Sequence, residues 1–86
     1  MKVVAKNIEM IAYFKKDGMI NPIRFRLEED SKCEVIKISR IISTDIEKFC
    51  GNKMIVFTCS ALVNNIERIF ELKYDIEKCC WILYKI

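Results

Sequence analysis

Five cysteines are the residues of this 86-residue chain best suited to chemistry: Cys33, Cys50, Cys59, Cys79 and Cys80. Thiols can form disulfides, bind soft metal ions or act as nucleophiles. The chain has no histidine and no Cys-x-x-Cys spacing, so a zinc site would need ligands from scattered segments. The odd number of cysteines, and first residues without the apolar core of a signal peptide, favour free thiols. We therefore expect no metal, no cofactor and no disulfide.

A nucleophilic thiol needs a nearby cation that stabilises the thiolate. Lys32 precedes Cys33, and Lys48 and Lys53 flank Cys50 in the sequence. Because neighbours in sequence need not face each other in space, we expect unreactive structural or surface thiols.

The acidic run Glu28-Glu29-Asp30 could supply a general acid and base or hold a cation. Catalytic carboxylates need contrasting environments, which a solvated strand end does not supply. The sequence also lacks a Gly-rich phosphate loop and a nucleophile elbow. It therefore predicts a protein that is not an enzyme.

Basic residues alternate along one predicted strand, where Arg24 and Arg26 point outward. Lys37 on the next strand and Tyr13 on the preceding one join them. A sheet face of this composition can contact phosphates and stack a base. The net charge is only +3, and Glu9 is placed to neutralise Arg26, so we expect weak nucleic-acid binding.

Alternating apolar residues place these side chains on strands. A hairpin turn at Asp17-Gly18 predicts the pairs Lys16–Met19, Ala12–Ile23 and Met10–Phe25 on one face, with Ile11–Arg24 and Glu9–Arg26 on the other. The cross-strand ion pair Glu9–Arg26 thus arises from a register chosen for hydrophobic reasons.

A second hairpin turns at Asn64-Asn65, because asparagine tolerates the positive φ of a tight turn. The predicted pairs are Val63–Ile66, Cys59–Phe70, Phe57–Leu72 and Ile55–Tyr74 on the core side, and Thr58–Glu71 and Val56–Lys73 on the other. This register also places Arg68 opposite Ala61, where Arg68 either extends to water or lines a pocket.

Between the hairpins, "CEVIKISRII" predicts one strand with Ile36, Ile38 and Ile42 on a shared face and Arg40 between them. The following "STDIEKFCGNK" has the capping-box spacing of Thr44 and Glu47, and Ile46, Phe49 and Cys50 have helical spacing. We expect at most one short helical turn near 45–50.

The final segment "DIEKCCWILYKI" predicts a loop of about four residues and a last strand. Pairing of Tyr74 with Cys79 would place Cys79, Trp81 and Leu83 in the core and Cys80 outside. The outward side chains Ile82, Tyr84 and Ile86, with Ile69 on the neighbouring strand, would form an apolar stripe. Such a stripe marks an interface unless the N-terminal "KVVA" covers it, and the alternation does not choose between these alternatives.

The sequence thus predicts a single all-β domain over residues 1–86. Its length allows one modest core, and five to six antiparallel strands would form a small barrel or strongly bent sheet of the SH3-like kind. No apolar run approaches the ~20 residues of a membrane span, so we expect a cytoplasmic protein without membrane contact.

The succession of "PIRFRL", "VIKISRII", "ERIFELKYD" and "CWILYKI" resembles a class of small, uncharacterised bacterial β-domains with Pro-x-Arg-Phe early and Trp-x-Leu on the last strand. The resemblance covers residues 22 to 86, and "STDIEKFCGNK" departs from it. Genes of some relatives lie beside those of DNA-repair polymerases, which implies nucleic-acid or repair-complex binding.

These observations favour a binding or assembly module that self-associates or binds a protein partner, with the stripe Ile69, Ile82, Tyr84 and Ile86 as the interface. The alternative is a nucleic-acid-binding module, linked to DNA repair, that uses Tyr13, Arg24, Arg26 and Lys37. A thiol-based redox protein is a third class.

Overall fold

The described part of the chain folds into seven antiparallel strands. This computed structural model describes residues 1–86 apart from the side chains of Glu29 and Phe49. The strands are β1 (Val3–Phe14), β2 (Ile20–Glu29), β3 (Lys32–Lys37), β4 (Arg40–Phe49), β5 (Asn52–Val63), β6 (Ile66–Asp75) and β7 (Cys80–Lys85). They form one curled, half-barrel sheet in the order β3-β2-β1-β7-β6-β5-β4. The all-β prediction is confirmed, and the strand number exceeds the predicted five to six.

Tight two-residue turns set the register of much of the sheet. Asp30–Ser31, Cys50–Gly51 and Asn64–Asn65 have positive φ at both positions, and they join β2 to β3, β4 to β5 and β5 to β6. Turns of this kind match the right-handed twist of the strands that they connect. All seven predicted pairs of the Asn64–Asn65 hairpin, including Ala61–Arg68, are confirmed.

The hairpin of β1 and β2 has a longer turn than predicted. Residues 16–18 form it, Lys15 N donates to Met19 O at 2.8 Å, and Gly18 adopts a φ of 94°. The predicted pair Lys16–Met19 is therefore wrong.

A bulge in β2 compensates for this longer turn. Ala12 pairs with Pro22, not with Ile23 as predicted, and the next pair is Ile11–Arg24. Ile23 is thus the extra residue of β2. Because the extra residue offsets the extra turn residue, the predicted pairs Met10–Phe25, Ile11–Arg24 and Glu9–Arg26 are confirmed.

The segment expected to form a helical turn near 45–50 belongs instead to β4. The described residues contain no helix, and β4 pairs with β5 from Arg40–Ser60 to Phe49–Asn52. Nucleating a helix fixes several residues for one hydrogen bond, whereas pairing satisfies the backbone along the strand. Gly51, which could end a helix, has a φ of 81° and completes the hairpin turn. The Phe49 side chain, part of the predicted helical face, lies outside the description.

A sharp corner joins β3 to β4 and brings β3 close to β5. Ile38 N donates to Ile23 O, and Ser39 N donates to Ser60 O, both at 2.9 Å. The backbone thus changes its hydrogen-bond partner from β2 to β5 within two residues.

The alternation of the predicted single strand does not continue through this corner. Ile36 is buried, and Ile41 rather than Ile42 packs on the core beyond the corner. Ile42 lies at a register shift and is exposed, and Arg40 is exposed rather than inward. Both predicted orientations are wrong.

The core fills the concave side of the sheet. Its buried residues are Phe25, Ile36, Phe57, Cys59, Ala61, Phe70, Leu72, Tyr74, Trp81 and Leu83. The Trp81 ring centroid lies 4.8 Å from that of Tyr74 and 5.6 Å from that of Phe57. Trp81 and Leu83 are buried as predicted.

The connection from β6 to β7 has the predicted length of four residues, 76–79. The register between β6 and β7 differs by two residues from the predicted one, because Tyr74 pairs with Trp81 and not with Cys79. Cys79 therefore lies in the loop, exposed and with a φ of 56°, and its predicted core position is wrong.

Candidate functional site

A groove opens on the outer face of the sheet, which we define as the face opposite the core. Its volume is about 420 Å³. Strands β1, β4, β5, β6 and β7 all contribute to the lining, which consists of Ala5, Asn7, Glu47, Met54, Lys73, Ile82 and Tyr84. We call it the Lys73 groove.

Lys73 is the buried charge of this groove. It pairs with Val56 on β5 and with Ile82 on β7, and only 9% of its surface is exposed. Its Nζ lies 2.8 Å from Glu47 Oε2 and 3.7 Å from the centroid of the Tyr84 ring. Removing an ammonium from water is costly unless it gains such partners. A carboxylate and an aromatic face therefore hold the cation in place.

Sequence reasoning placed Lys73 opposite Val56 but missed its burial. Glu47 was assigned to a helical turn, so its side chain was not expected to reach Lys73 across β5. Tyr84 lies on the outer face as expected, because the two-residue difference in the register of β7 leaves the face of each side chain unchanged. The signal that could have found the site is a strand assignment for residues 40–49, which places Glu47 on the same face as Lys73.

The predicted interface residues separate in the structure. Ile82 and Tyr84 are half-buried in the Lys73 groove, and Ile69 is 47% exposed on the outer face. Ile86 packs against the core, so its predicted outward orientation is wrong. The N-terminal segment pairs beside β7, with Val3 opposite Lys85, and adds Ala5 to the groove.

The predicted nucleic-acid residues do lie on one face. Arg24 stands opposite Lys37, and Arg26 follows on the same strand. A shallow depression of about 390 Å³ is lined by Arg24 and Arg26 among others, and Tyr13 is 57% exposed on the same face.

Glu9 partly neutralises this basic surface. Its Oε1 lies 3.6 Å from Arg26 Nη1, and both side chains are largely exposed. Such an exposed pair contributes little to stability. Arg40 and Arg68 are both exposed, so neither side chain is enclosed in the core.

Asp75 organises the loop that leads into β7. Its Oδ2 accepts a hydrogen bond from Asn52 Nδ2, and its Oδ1 accepts bonds from the backbone N–H groups of Glu77 and Lys78, all at 3.1 Å. The Asn52 hydrogen bond, followed by that of Lys78, lowers the pKa of Asp75 below its usual value.

The five thiols differ in their exposure to solvent. All five cysteines are described and free; Cys59 is buried, and the other four are exposed. Burial raises the pKa of Cys59 to about 12, which keeps it protonated. A hydrogen bond with Cys79, and then burial, raises the pKa of Tyr74. Among the described residues, no cluster of three or more cysteine or carboxylate side chains could hold a metal ion.

In the acidic run, Glu28 pairs with Cys33 and is exposed, and Asp30 lies in the turn to β3. The Glu29 side chain, also part of that predicted run, lies outside the described residues. Glu28 and Asp30 therefore lie in solvent at a strand end.

Comparisons with known proteins do not place the chain in a family. It matches no protein-family model, and searches of curated proteins and of solved structures give no significant match. Within the described residues, no helix is long and apolar enough to cross a membrane.

Proposed function

We propose that the protein is a non-enzymatic binding and assembly module, a small barrel of the SH3-like kind, that associates with a second copy of the chain. The contact surface is the part of the outer face around Leu62 and Ile69. A cytoplasmic location and independence of membranes are part of this proposal.

The observation that carries the proposal is a set of exposed apolar side chains on the outer face, of which Leu62 and Ile69 are neighbours. Ile11 is 52% exposed, Val35 59%, Leu62 64% and Ile69 47%. Leu62 and Ile69 lie diagonally across the paired strands β5 and β6, whereas Ile11 and Val35 lie beside Arg24 and Arg26 in the other half of the sheet. Apolar area left in water forgoes roughly 25 cal/mol per Å², and exposed apolar patches mark interaction surfaces. Association would recover that free energy.

Sedimentation equilibrium tests the proposal at high micromolar concentration. We expect the wild-type chain to form a dimer, and Leu62→Lys plus Ile69→Lys to give a folded monomer by circular dichroism. The matched control is Ile46→Lys plus Ile66→Lys, since these side chains are 64% and 63% exposed on the core side of the sheet. A monomeric wild type, or equal loss of association in both double variants, would contradict the proposal.

A nucleic-acid-binding module is the second candidate, favoured by the juxtaposition of Arg24, Lys37 and Arg26 beside the exposed Tyr13. The resemblance to β-domains encoded beside DNA-repair polymerases supports the same function. Phosphates would contact the basic side chains, and a base would stack on the tyrosine.

Fluorescence anisotropy with single-stranded DNA at physiological salt separates the two candidates. Under the first proposal we expect only non-specific binding, with Kd in the range of about 10⁻⁴ to 10⁻⁶ M. Submicromolar affinity that is lost in Arg24→Ala plus Arg26→Ala, and kept in Lys15→Ala plus Lys16→Ala at the exposed β1–β2 turn, would establish the second candidate instead.

A further inference from the structure

The Lys73 groove has the composition of a small-ligand site. Its volume of about 420 Å³ falls within the ~300–1,000 Å³ of small-molecule pockets. Met54, Ile82 and the Tyr84 ring give it an apolar wall, and Asn7, Glu47 and Lys73 are its polar side chains. Such sites typically combine a mostly apolar wall with a few polar groups that orient the ligand.

The two ions in the groove differ in their freedom to move. The Lys73 side chain is 11% exposed and lies against the Tyr84 ring, whereas the Glu47 side chain is 45% exposed. Glu47 also belongs to β4, which is an edge strand of the sheet. Glu47 can therefore turn to water without disturbing the core, whereas Lys73 remains fixed.

Exchange of one carboxylate for another would keep the charge of Lys73 balanced. An incoming carboxylate would accept the hydrogen bond that Glu47 accepts now, and Glu47 would become hydrated. Neither step leaves a buried charge without a partner, which is the costly outcome for an ammonium in this position.

We propose that the Lys73 groove binds an apolar molecule that ends in a carboxylate. The carboxylate lies on Lys73 Nζ in place of Glu47, and the apolar body lies against Met54, Ile82 and the Tyr84 ring. Glu47 acts as an internal competitor that occupies the cation when no ligand is bound. This assignment goes beyond the proposed self-association and does not depend on it.

Chemical-shift titration by heteronuclear NMR tests the assignment with octanoate as the probe. We expect saturable shifts centred on Met54, Lys73, Ile82 and Tyr84, and binding of octanol weaker by about tenfold or more. Glu47→Gln should bind octanoate several-fold more tightly, because the competing charge is gone. Lys73→Met, which keeps an unbranched apolar stem, should lose the binding, whereas Lys48→Met on β4 should not.

The carboxylate of the ligand could belong to a free organic acid or to the C-terminus of a protein chain. Titration with a peptide that ends in a leucine carboxylate, and with the corresponding amide, distinguishes these two sources. Binding of octanoate alone assigns the groove to free organic acids, and binding of the peptide acid alone assigns it to chain termini; both support the proposal. No saturable shift by about 10 mM of either probe would overturn it. So would equal binding by octanol, or weaker octanoate binding in Glu47→Gln. Sedimentation of the same samples reports the oligomeric state separately.

Discussion

At the scale of single residues, Cys59 differs from the other cysteines because it packs in the core. It is fully buried opposite Phe70, and burial raises its pKa to about 12. Alkylation requires the thiolate and access to it. We therefore expect iodoacetamide to modify four thiols of the native protein, and the fifth only in denaturant, as measured by intact mass. Cys59→Ala should give four adducts under both conditions; a native protein with five adducts would mean that the core opens readily.

Asp75 gives the fold a defined response to acid. Its folded pKa lies below the value of about 3.9 for an aspartate in an unfolded chain. Its contribution to stability is therefore present above the unfolded pKa and is lost as the pH falls through the folded pKa. We expect the free energy of unfolding, measured with urea, to fall from about pH 5 downward.

Asp75→Asn should be less stable than the wild type at neutral pH and should show a flatter pH dependence in this window. Asp45→Asn, at an exposed carboxylate on β4, is the control and should keep the wild-type slope. Identical pH profiles for wild type and Asp75→Asn would contradict the role of the Asn52 hydrogen bond.

At the scale of elements, the tight turns decide which strands pair. Cys50 occupies a turn position with a φ of 51°, which a side chain other than Asn, Asp or Gly adopts at a cost. Cys50→Asn should therefore raise the free energy of unfolding by about 0.5–1 kcal/mol. Cys50→Val should lower it, because a β-branched side chain disfavours this φ. Urea denaturation measures both, and a change of the same sign in both variants would contradict the argument.

The sequence is informative where one local signal dominates. Asn64–Asn65 specifies its turn, so the whole β5–β6 register follows from the chain itself. Gly51 is different, because it fits both a helix end and a hairpin turn, and only pairing with β5 resolves that ambiguity. The corner at Ile38–Ser39 depends on acceptors from β2 and β5, which local alternation does not encode.

The candidate site is harder to predict than the fold. The basic residues Arg24, Arg26 and Lys37 share a face because of one local hairpin and the strand beside it. Lys73, Glu47 and Tyr84 come from three strands; the Glu47 contact depends on the pairing of β4 with β5 and of β5 with β6, and the Tyr84 contact depends on the pairing of β6 with β7. The side chains could therefore be placed on faces from the sequence, but the burial of Lys73 could not.

At the scale of the whole molecule, stability depends on one aromatic cluster. Trp81 is 8% exposed and lies against both Tyr74 and Phe57, so truncation removes contacts with the neighbouring strand β6 and with β5 beyond it. Trp81→Ala should cost ~3–5 kcal/mol, which is a large share of the stability of a domain this small. Thermal unfolding followed by circular dichroism measures the loss. Ile76→Ala, in the exposed loop before β7, is the control and should change the midpoint little.

The pairing of β1 with β7 also determines the order in which the protein can fold. The tight-turn hairpins bring together residues that are close in sequence, and such hairpins form in about 1–10 μs. Ile8 and Trp81, by contrast, meet across most of the chain. Contacts of this separation carry a large loop-closure entropy and slow folding. The seam between β1 and β7 therefore closes after the hairpins, and substitutions along it should act mainly on the unfolding rate.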